Sequence, residues 1–158
     1  MNRRACWRER AFSLVEVVLA VAILGILAAI VIPRMSRGTA GSSEVALIAD
    51  LRLLRGAIDH YAVDHGGAFP TNNDIMDQLT KYTDLLGDVQ ATMDTTHMYG
   101  PYLMCIPPLP VGARKGNTQI ADNASVTVGW VYNETTGAIR ANCGPAELDE
   151  TDRPYRTY

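Results

Sequence analysis

The 158-residue chain is predicted to be an α+β protein, in which one long N-terminal helix packs on a small antiparallel β-sheet domain. An apolar run fills residues 12–32, and a stripe of apolar side chains with helical spacing follows over residues 47–65. A β-rich stretch at residues 126–142 contains a turn in its middle. We therefore expect four segments: a leader (1–11), an apolar helix (12–33), an amphipathic helix (34–66) and a globular domain (67–158).

The leader is basic, whereas the body of the chain is acidic. Residues 1–11 carry a net charge of +3 and the remaining residues −6, for a formal total of −3. This balance argues against nucleic acid as a partner, because nucleic-acid binding requires a basic face. Positive charges beside an apolar segment stay in the cytoplasm. We therefore expect a cytoplasmic N-terminus and a C-terminal domain on the other side of the membrane.

The apolar run is predicted to be a transmembrane helix. Residues 12–32 contain a single charged residue, Glu16, and their 21 positions match the roughly 20 that a membrane-spanning helix needs. No Ala-x-Ala-like site follows, so we expect a retained single span and not a cleaved secretory signal. Pro33 has no N–H to donate to the carbonyl four residues back. It is expected to bend or locally open the helix.

Glu16 is the first functional candidate, because a carboxylate inside a membrane helix is costly unless it is paired. If the leader were removed after Ala11, the new α-amine of Phe12 would lie one helical turn from Glu16. The amine of the same chain is one possible partner. The amine of a neighbouring subunit is a second, and it would make Glu16 a device that sets the register of assembly. In the third alternative, Glu16 extends to the membrane interface beside the basic leader.

The amphipathic segment is predicted to continue the helix. Residues 38–43 are rich in Gly, Ser and Thr and form a candidate joint. Beyond them, residues spaced 4, 3, 4, 3 and 4 positions apart form one apolar stripe: Leu47, Leu51, Leu54, Ile58, Tyr61 and His65. Gly66 and Gly67 are expected to end the helix. The globular domain must cover this stripe.

The globular domain is predicted to contain a short helix near residues 74–86 and a β-hairpin. Residues 126–132 are β-rich, residues 133–137 form a turn, and residues 138–142 are predicted to form the second strand of the hairpin. The tail from Pro145 onward is polar and acidic. No nucleophile elbow, phosphate-binding loop or Cys-x-x-Cys pattern is present, so we do not expect an enzyme.

Residues 10–35, RAFSLVEVVLAVAILGILAAIVIPRM, resemble the N-terminus of type IV pilins and type II secretion pseudopilins. The shared pattern is a small residue, Phe, a polar residue, two aliphatic residues and Glu, and then an aliphatic run that ends at a proline. Ala11 stands where the family usually has glycine. The resemblance implies a pilin-like fold, with the apolar helices bundled in the core of a filament.

The resemblance also implies roles for single residues. A prepilin peptidase would cleave between Ala11 and Phe12 and N-methylate Phe12. Glu16 would neutralise the Phe12 amine of an adjacent subunit in a helical homo-oligomer, and Pro33 would lie where the helix bends or melts during assembly. The implied partners are the prepilin peptidase, minor pseudopilins or pilins, and an assembly platform. The implied location is the bacterial inner membrane, crossed once, with the globular domain in the periplasm.

Three short segments resemble the major pseudopilin of type II secretion: Phe69-Pro70-Thr71, Tyr102-Leu103-Met104-Cys105-Ile106-Pro107 and Gly129-Trp130-Val131-Tyr132. The implied function is that of a structural subunit of a pseudopilus that helps to export proteins. A type IV pilin, forming a surface fibre for adhesion, motility or DNA uptake, is the first alternative. An enzyme or binding domain tethered to the membrane is the second. Glu16 discriminates against it, because a simple tether gains nothing from a carboxylate.

Two cysteines remain beyond the leader, Cys105 and Cys143, with the predicted hairpin between them. A disulfide between them is expected in an oxidising compartment, and two reduced core thiols are the alternative. A disulfide-bounded C-terminal loop would resemble the type IV pilins.

An acidic cluster near the C-terminus contains Glu147, Asp149 and Asp152. Calcium prefers several oxygen ligands, and the resemblance to the major pseudopilin implies a calcium site in a late loop. A solvated acidic tail is the alternative interpretation.

Overall fold

The computed structural model describes residues 13–158, with side chains described for residues 13–27 and 41–158. The predicted leader, with Ala11, and the neighbouring Phe12 lie outside the described residues. Two compact units divide the chain, Met1–Thr39 and Ala40–Tyr158. The described elements are α1 (Leu14–Asp64), α2 (Ile75–Thr80), β1 (Tyr82–Thr83), β2 (Val89–Gln90), β3 (Gln119–Ala121), β4 (Val128–Asn133), β5 (Ala138–Ala141) and a 3₁₀ helix (Tyr155–Thr157).

In the first unit, α1 exposes its apolar side chains. The ten large apolar side chains between positions 14 and 27 range from 49% exposed at Ile23 to 79% at Leu14. Within the described residues, no helix is both long and apolar enough to cross a membrane. The predicted span over residues 12–32 and the predicted bend at Pro33 involve residues or side chains outside that set. Both stay predictions.

In the second unit, the predicted helical stripe is confirmed. Its five apolar members are at most 3% exposed, and His65 is 6% exposed. α1 ends at Asp64, where the N–H of Gly67 donates to the carbonyl of Ala62 at 2.7 Å. This bond is typical of a Schellman end, and it requires the positive φ of 65° that Gly66 adopts. The predicted helix end is therefore confirmed.

The predicted hairpin is also confirmed, but its sheet is mixed. β4 and β5 are antiparallel, with Trp130 opposite Ala141 and Asn133 opposite Ala138. β3 pairs with β4 in parallel, so the expectation of an antiparallel sheet is wrong for this strand. Because β3 is only three residues long, the short loop over residues 122–127 can return the chain to the start of β4. β1 and β2 form a separate antiparallel pair.

The region predicted as one short helix, residues 74–86, divides into two elements. α2 stops after six residues at Thr80, and Lys81 is extended with φ −124° and ψ 179°. β1 then begins at Tyr82. The helix ends at Thr80 because the residues that follow are extended. Among them, Thr83 exchanges two backbone hydrogen bonds with Tyr99, at 2.9 and 3.1 Å.

The core lies between the α1 stripe and the sheet. Trp130 and Tyr132 of β4 are at most 1% exposed. Their polar atoms are satisfied, since Trp130 Nε1 donates to the Pro107 carbonyl at 2.8 Å and the Tyr132 hydroxyl to the Pro70 carbonyl at 3.0 Å. These bonds allow large aromatic side chains to be buried without unpaired polar groups.

Asn142, just after β5, is buried and holds the loop that leads into β4. Its Nδ2 donates to the carbonyls of Ser125 at 2.9 Å and Val128 at 2.7 Å. We expect Asn142→Ala to lower the free energy of unfolding by about 1–3 kcal/mol, because a buried carbonyl loses its donor. Chemical denaturation of the full chain in detergent measures this change. A loss no larger than that of Asn123→Ala, an exposed control, would contradict the expectation.

Candidate functional site

The first candidate site is the N-terminal part of α1. The carbonyl of Ser13 accepts the N–H groups of Glu16 at 3.0 Å and Val17 at 3.2 Å, which closes the first turn. Glu16 is exposed in this turn, where the helix dipole favours a negative charge. The ion pairs in the described part of the chain are Lys81–Asp77 and His97–Asp94. Within that part, Glu16 therefore has no cationic partner.

The surroundings of Glu16 are apolar on every side of the helix. Between positions 14 and 27, Glu16 is the only polar side chain. A helix that is apolar all round is stable when lipid or other helices cover it. The arrangement offers a large non-directional contact surface, to which one carboxylate adds a directional contact.

The other predicted residues of this site fall outside what the structure describes. Ala11 and Phe12 lie before the described residues, and Pro33 lies where side chains are not described. Cleavage after Ala11, N-methylation of Phe12 and bending at Pro33 stay predictions.

The predicted disulfide is not formed, because both cysteines are free thiols. Cys143 is 6% exposed and belongs to the core cluster, whereas Cys105 is exposed to solvent. Burial, and then the negative charge of Glu147, raise the pKa of Cys143 to about 11. One thiol faces the core and the other faces solvent, so the pairing of Cys105 with Cys143 is corrected to two separate thiols.

The second candidate site is the late loop, which we define as residues 143–158. Glu147 lies at its start, and its carboxylate accepts the backbone N–H groups of Ala113 and Gly144. These two bonds, assisted by the positive charge of Arg114, lower the pKa of Glu147. Glu147 therefore ties the late loop to the loop that precedes β3.

Asp149 is the centre of the late loop. Its Oδ1 accepts the N–H of Thr151 at 2.7 Å, the hydroxyl of Thr151 at 2.8 Å and the N–H of Arg153 at 2.9 Å. Its Oδ2 accepts the hydroxyl of Tyr158. The Tyr158 bond is the largest cause that holds the pKa of Asp149 well below its usual value of 3.8. The same bond raises the pKa of Tyr158 to about 12.

The late-loop residues do not fit calcium. Glu147 and Asp149 direct their oxygens at donors of the chain, and Asp152 is exposed at a positive φ of 62°. Across residues 13–158, no group of three or more His, Cys, Asp or Glu side chains is placed to hold a metal ion. Calcium usually takes six to eight oxygen ligands, whereas the oxygens of Glu147 and Asp149 already have partners.

Sequence reasoning missed the residues that hold the late loop to the rest of the domain. Arg55 of α1 donates from Nη2 to the carbonyl of Tyr158 at 2.6 Å and to that of Ile139 at 3.3 Å. Glu44 of α1 accepts the N–H of Glu150 at 3.0 Å. The only signal in the sequence is the pair of aromatic residues, Tyr155 and Tyr158, in an otherwise polar tail.

Comparison with known proteins identifies the N-terminal segment and a set of relatives. Residues 8–32 match the prokaryotic N-terminal methylation motif. The chain is 34% identical over 64 residues to the type II secretion system core protein G of Klebsiella pneumoniae, covering 40% of this chain and 45% of that protein. It is 28% identical over 105 residues to the core protein G of Aeromonas hydrophila, covering 66% and 69%. It is 37% identical over 82 residues to that of Pseudomonas aeruginosa, covering 51% and 54%.

The extent of these matches limits what they establish. The chain spans about half the length of the Klebsiella and Pseudomonas relatives. No solved structure matches the chain. The resemblance of residues 10–35 to the prepilin N-terminus is confirmed, and the relatives named here share one description. The chain thus carries a prepilin-type N-terminal methylation motif and is similar to the major pseudopilins of type II secretion.

Proposed function

We propose that the chain is a structural subunit of a type II secretion pseudopilus, polymerised into a filament that helps to export proteins. The observation that carries this proposal is the surface of α1 between positions 14 and 27, where ten large apolar side chains are exposed around one carboxylate. The similarity to core protein G supports it. We expect no enzymatic activity in this function.

The apolar surface provides the drive for membrane insertion and assembly. Burial of a large aliphatic side chain contributes about 1.5–3 kcal/mol. With ten such side chains exposed, the helix gains free energy in lipid or among copies of itself. Apolar contacts are non-directional, so they do not select one register between neighbouring helices.

Glu16 supplies the register in this proposal. Removal of residues 1–11 by a prepilin peptidase would create a cationic amine at Phe12, and the N-methylated amine is still basic and would remain protonated near neutral pH. In a low-dielectric helix bundle, a carboxylate pairs strongly with one nearby cation. The amine of a neighbouring subunit, displaced along the filament axis, satisfies Glu16. The subunit would wait in the inner membrane with its globular domain in the periplasm until an assembly platform adds it.

The two alternatives have less support. A type IV pilin was favoured by a disulfide-bounded C-terminal loop, and this support is lost because Cys105 and Cys143 are free thiols. A membrane-tethered enzyme or binding domain has no use for Glu16. We therefore retain the pseudopilus subunit as the proposal.

The processing step is tested by intact mass and N-terminal sequencing of the protein isolated from its native membrane. We expect a chain that begins at methylated Phe12. Deletion of the prepilin peptidase gene is the matched control and should restore a chain that begins at Met1. A wild-type chain that retains Met1, or that is cut elsewhere, would contradict the proposal.

A further inference from the structure

We infer that the late loop closes without a metal ion, because donors of this chain occupy the carboxylates of Glu147 and Asp149, two of the three that the predicted calcium site would need. The loop is instead organised by Asp149, Arg153 and Tyr158. This inference rests on the globular domain alone and does not depend on the proposed function.

Both carboxylate oxygens of Asp149 accept hydrogen bonds from donors of this chain. A carboxylate offers about four acceptor positions. Asp149 uses three bonds on Oδ1, from Thr151 and Arg153, and one on Oδ2, from Tyr158. A cation that binds Asp149 would have to displace these donors, and the turn over residues 149–153 would lose its three hydrogen bonds to Oδ1.

Arg153 places a positive charge inside the late loop. Its guanidinium carbon lies 3.9 Å from the ring centroid of Tyr158, which is a cation–π contact. The same residue donates its backbone N–H to Asp149. The loop thus places a cation of its own next to the ring whose hydroxyl binds Asp149.

Glu147 and Asp149 bind different groups of the chain. Its two oxygens bind the N–H groups of Ala113 and Gly144, on two different loops. Asp149 binds donors within residues 151–158. The two carboxylates therefore serve separate sets of backbone groups.

The late loop is attached to α1 through Arg55. Arg55 holds the carbonyl of Tyr158 at 2.6 Å, while the Tyr158 hydroxyl binds Asp149. Tyr158 is thereby held through both its backbone and its side chain, and the late loop is attached to α1. The fold of the subunit should consequently be insensitive to divalent cations.

Thermal unfolding of the full chain in detergent tests this inference, with EDTA or with millimolar calcium chloride. We expect the two midpoints to agree within about 1 °C. Calcium bound in 100-fold excess over its dissociation constant would raise the midpoint by about 5 °C or more. A rise of that size in the wild type, absent from Asp149→Asn, would overturn the inference.

Two variants test the role of the chain's own donors. We expect Asp149→Asn and Tyr158→Phe each to lower the midpoint by several degrees, with or without calcium. Tyr158→Phe keeps the ring beneath Arg153 and removes only the hydroxyl. Asp152→Asn is the matched control, since it removes a nearby exposed carboxylate and asparagine tolerates the left-handed backbone at this position. Tyr158→Phe with the midpoint of the control would also overturn the inference.

Acid unfolding gives an independent readout. Because the pKa of Asp149 is lowered in the folded state, its contribution is present above the usual value of 3.8 and is lost as the pH falls below it. The stability of the wild type should therefore fall more steeply below about pH 4 than that of Asp149→Asn. Equal slopes would contradict a role for the Asp149 hydrogen bonds.

Discussion

Glu16→Leu is expected to lower filament assembly and protein export by at least about tenfold, while the protein is still inserted and processed. An ionic contact in a low-dielectric helix bundle is worth several kcal/mol, and each 1.36 kcal/mol corresponds to a factor of ten. Leucine keeps the apolar surface of residues 14–27 but removes the one charge that selects a register. Sheared filaments and secreted protein, both measured in cells that carry the variant, report the loss.

Two control variants separate charge from shape. Glu16→Gln keeps the length of the side chain and should be as defective as Glu16→Leu. Val15→Leu changes an adjacent apolar residue that is 72% exposed and should assemble normally. Assembly of Glu16→Leu at the wild-type level would refute the register hypothesis and would favour the membrane tether.

Trp130→Ala is expected to lower the free energy of unfolding by about 3–5 kcal/mol, a large share of the roughly 5–15 kcal/mol that typical domains possess. Trp130 is fully buried at 0% exposure, in the central strand of the sheet, between Ile120 of β3 and Ala141 of β5. Its removal leaves a cavity under the α1 stripe and also deprives the Pro107 carbonyl of its donor. Urea unfolding of the full chain in detergent, followed by circular dichroism, measures the loss.

Trp130→Phe is the matched variant. It retains most of the apolar volume and removes the N–H group, so we expect a smaller loss of about 1–3 kcal/mol. The same loss in both variants would mean that the hydrogen bond, and not the packing, dominates at this position. A loss below about 1 kcal/mol for Trp130→Ala would contradict the central place of Trp130 in the core.

The amphipathic half of α1 and the hairpin were accessible from the sequence because their signals are local. A buried helix face repeats every three or four residues, and Leu47 through His65 keep that spacing. The turn over residues 133–137 joins two β-rich stretches, so pairing needs no distant partner. The methylation motif is likewise one continuous segment.

The parallel pairing of β3 was hidden because a three-residue strand has almost no periodicity. Its place beside β4 also depends on Gly129, where a Cβ atom would lie 2.2 Å from the carbonyl oxygen of Asn117. The glycine permits a close backbone approach that no local pattern announces.

The hydrogen-bond partners of the late-loop carboxylates could not be predicted from the sequence either. Glu147, Asp149 and Asp152 are close in sequence, which suggested one ligand set. In the folded chain, Glu147 accepts a hydrogen bond from Ala113 and Asp149 accepts one from Tyr158, whereas Asp152 is exposed.

Cys105 and Cys143 follow the same rule, since pairing depends on which side of the core each side chain faces. Periodicity and motif order therefore defined the helix, the hairpin and the prepilin N-terminus, because their signals lie within one segment. The partners of the carboxylates and thiols arose from long-range packing, because buried polar groups bind whatever donors the fold brings to them.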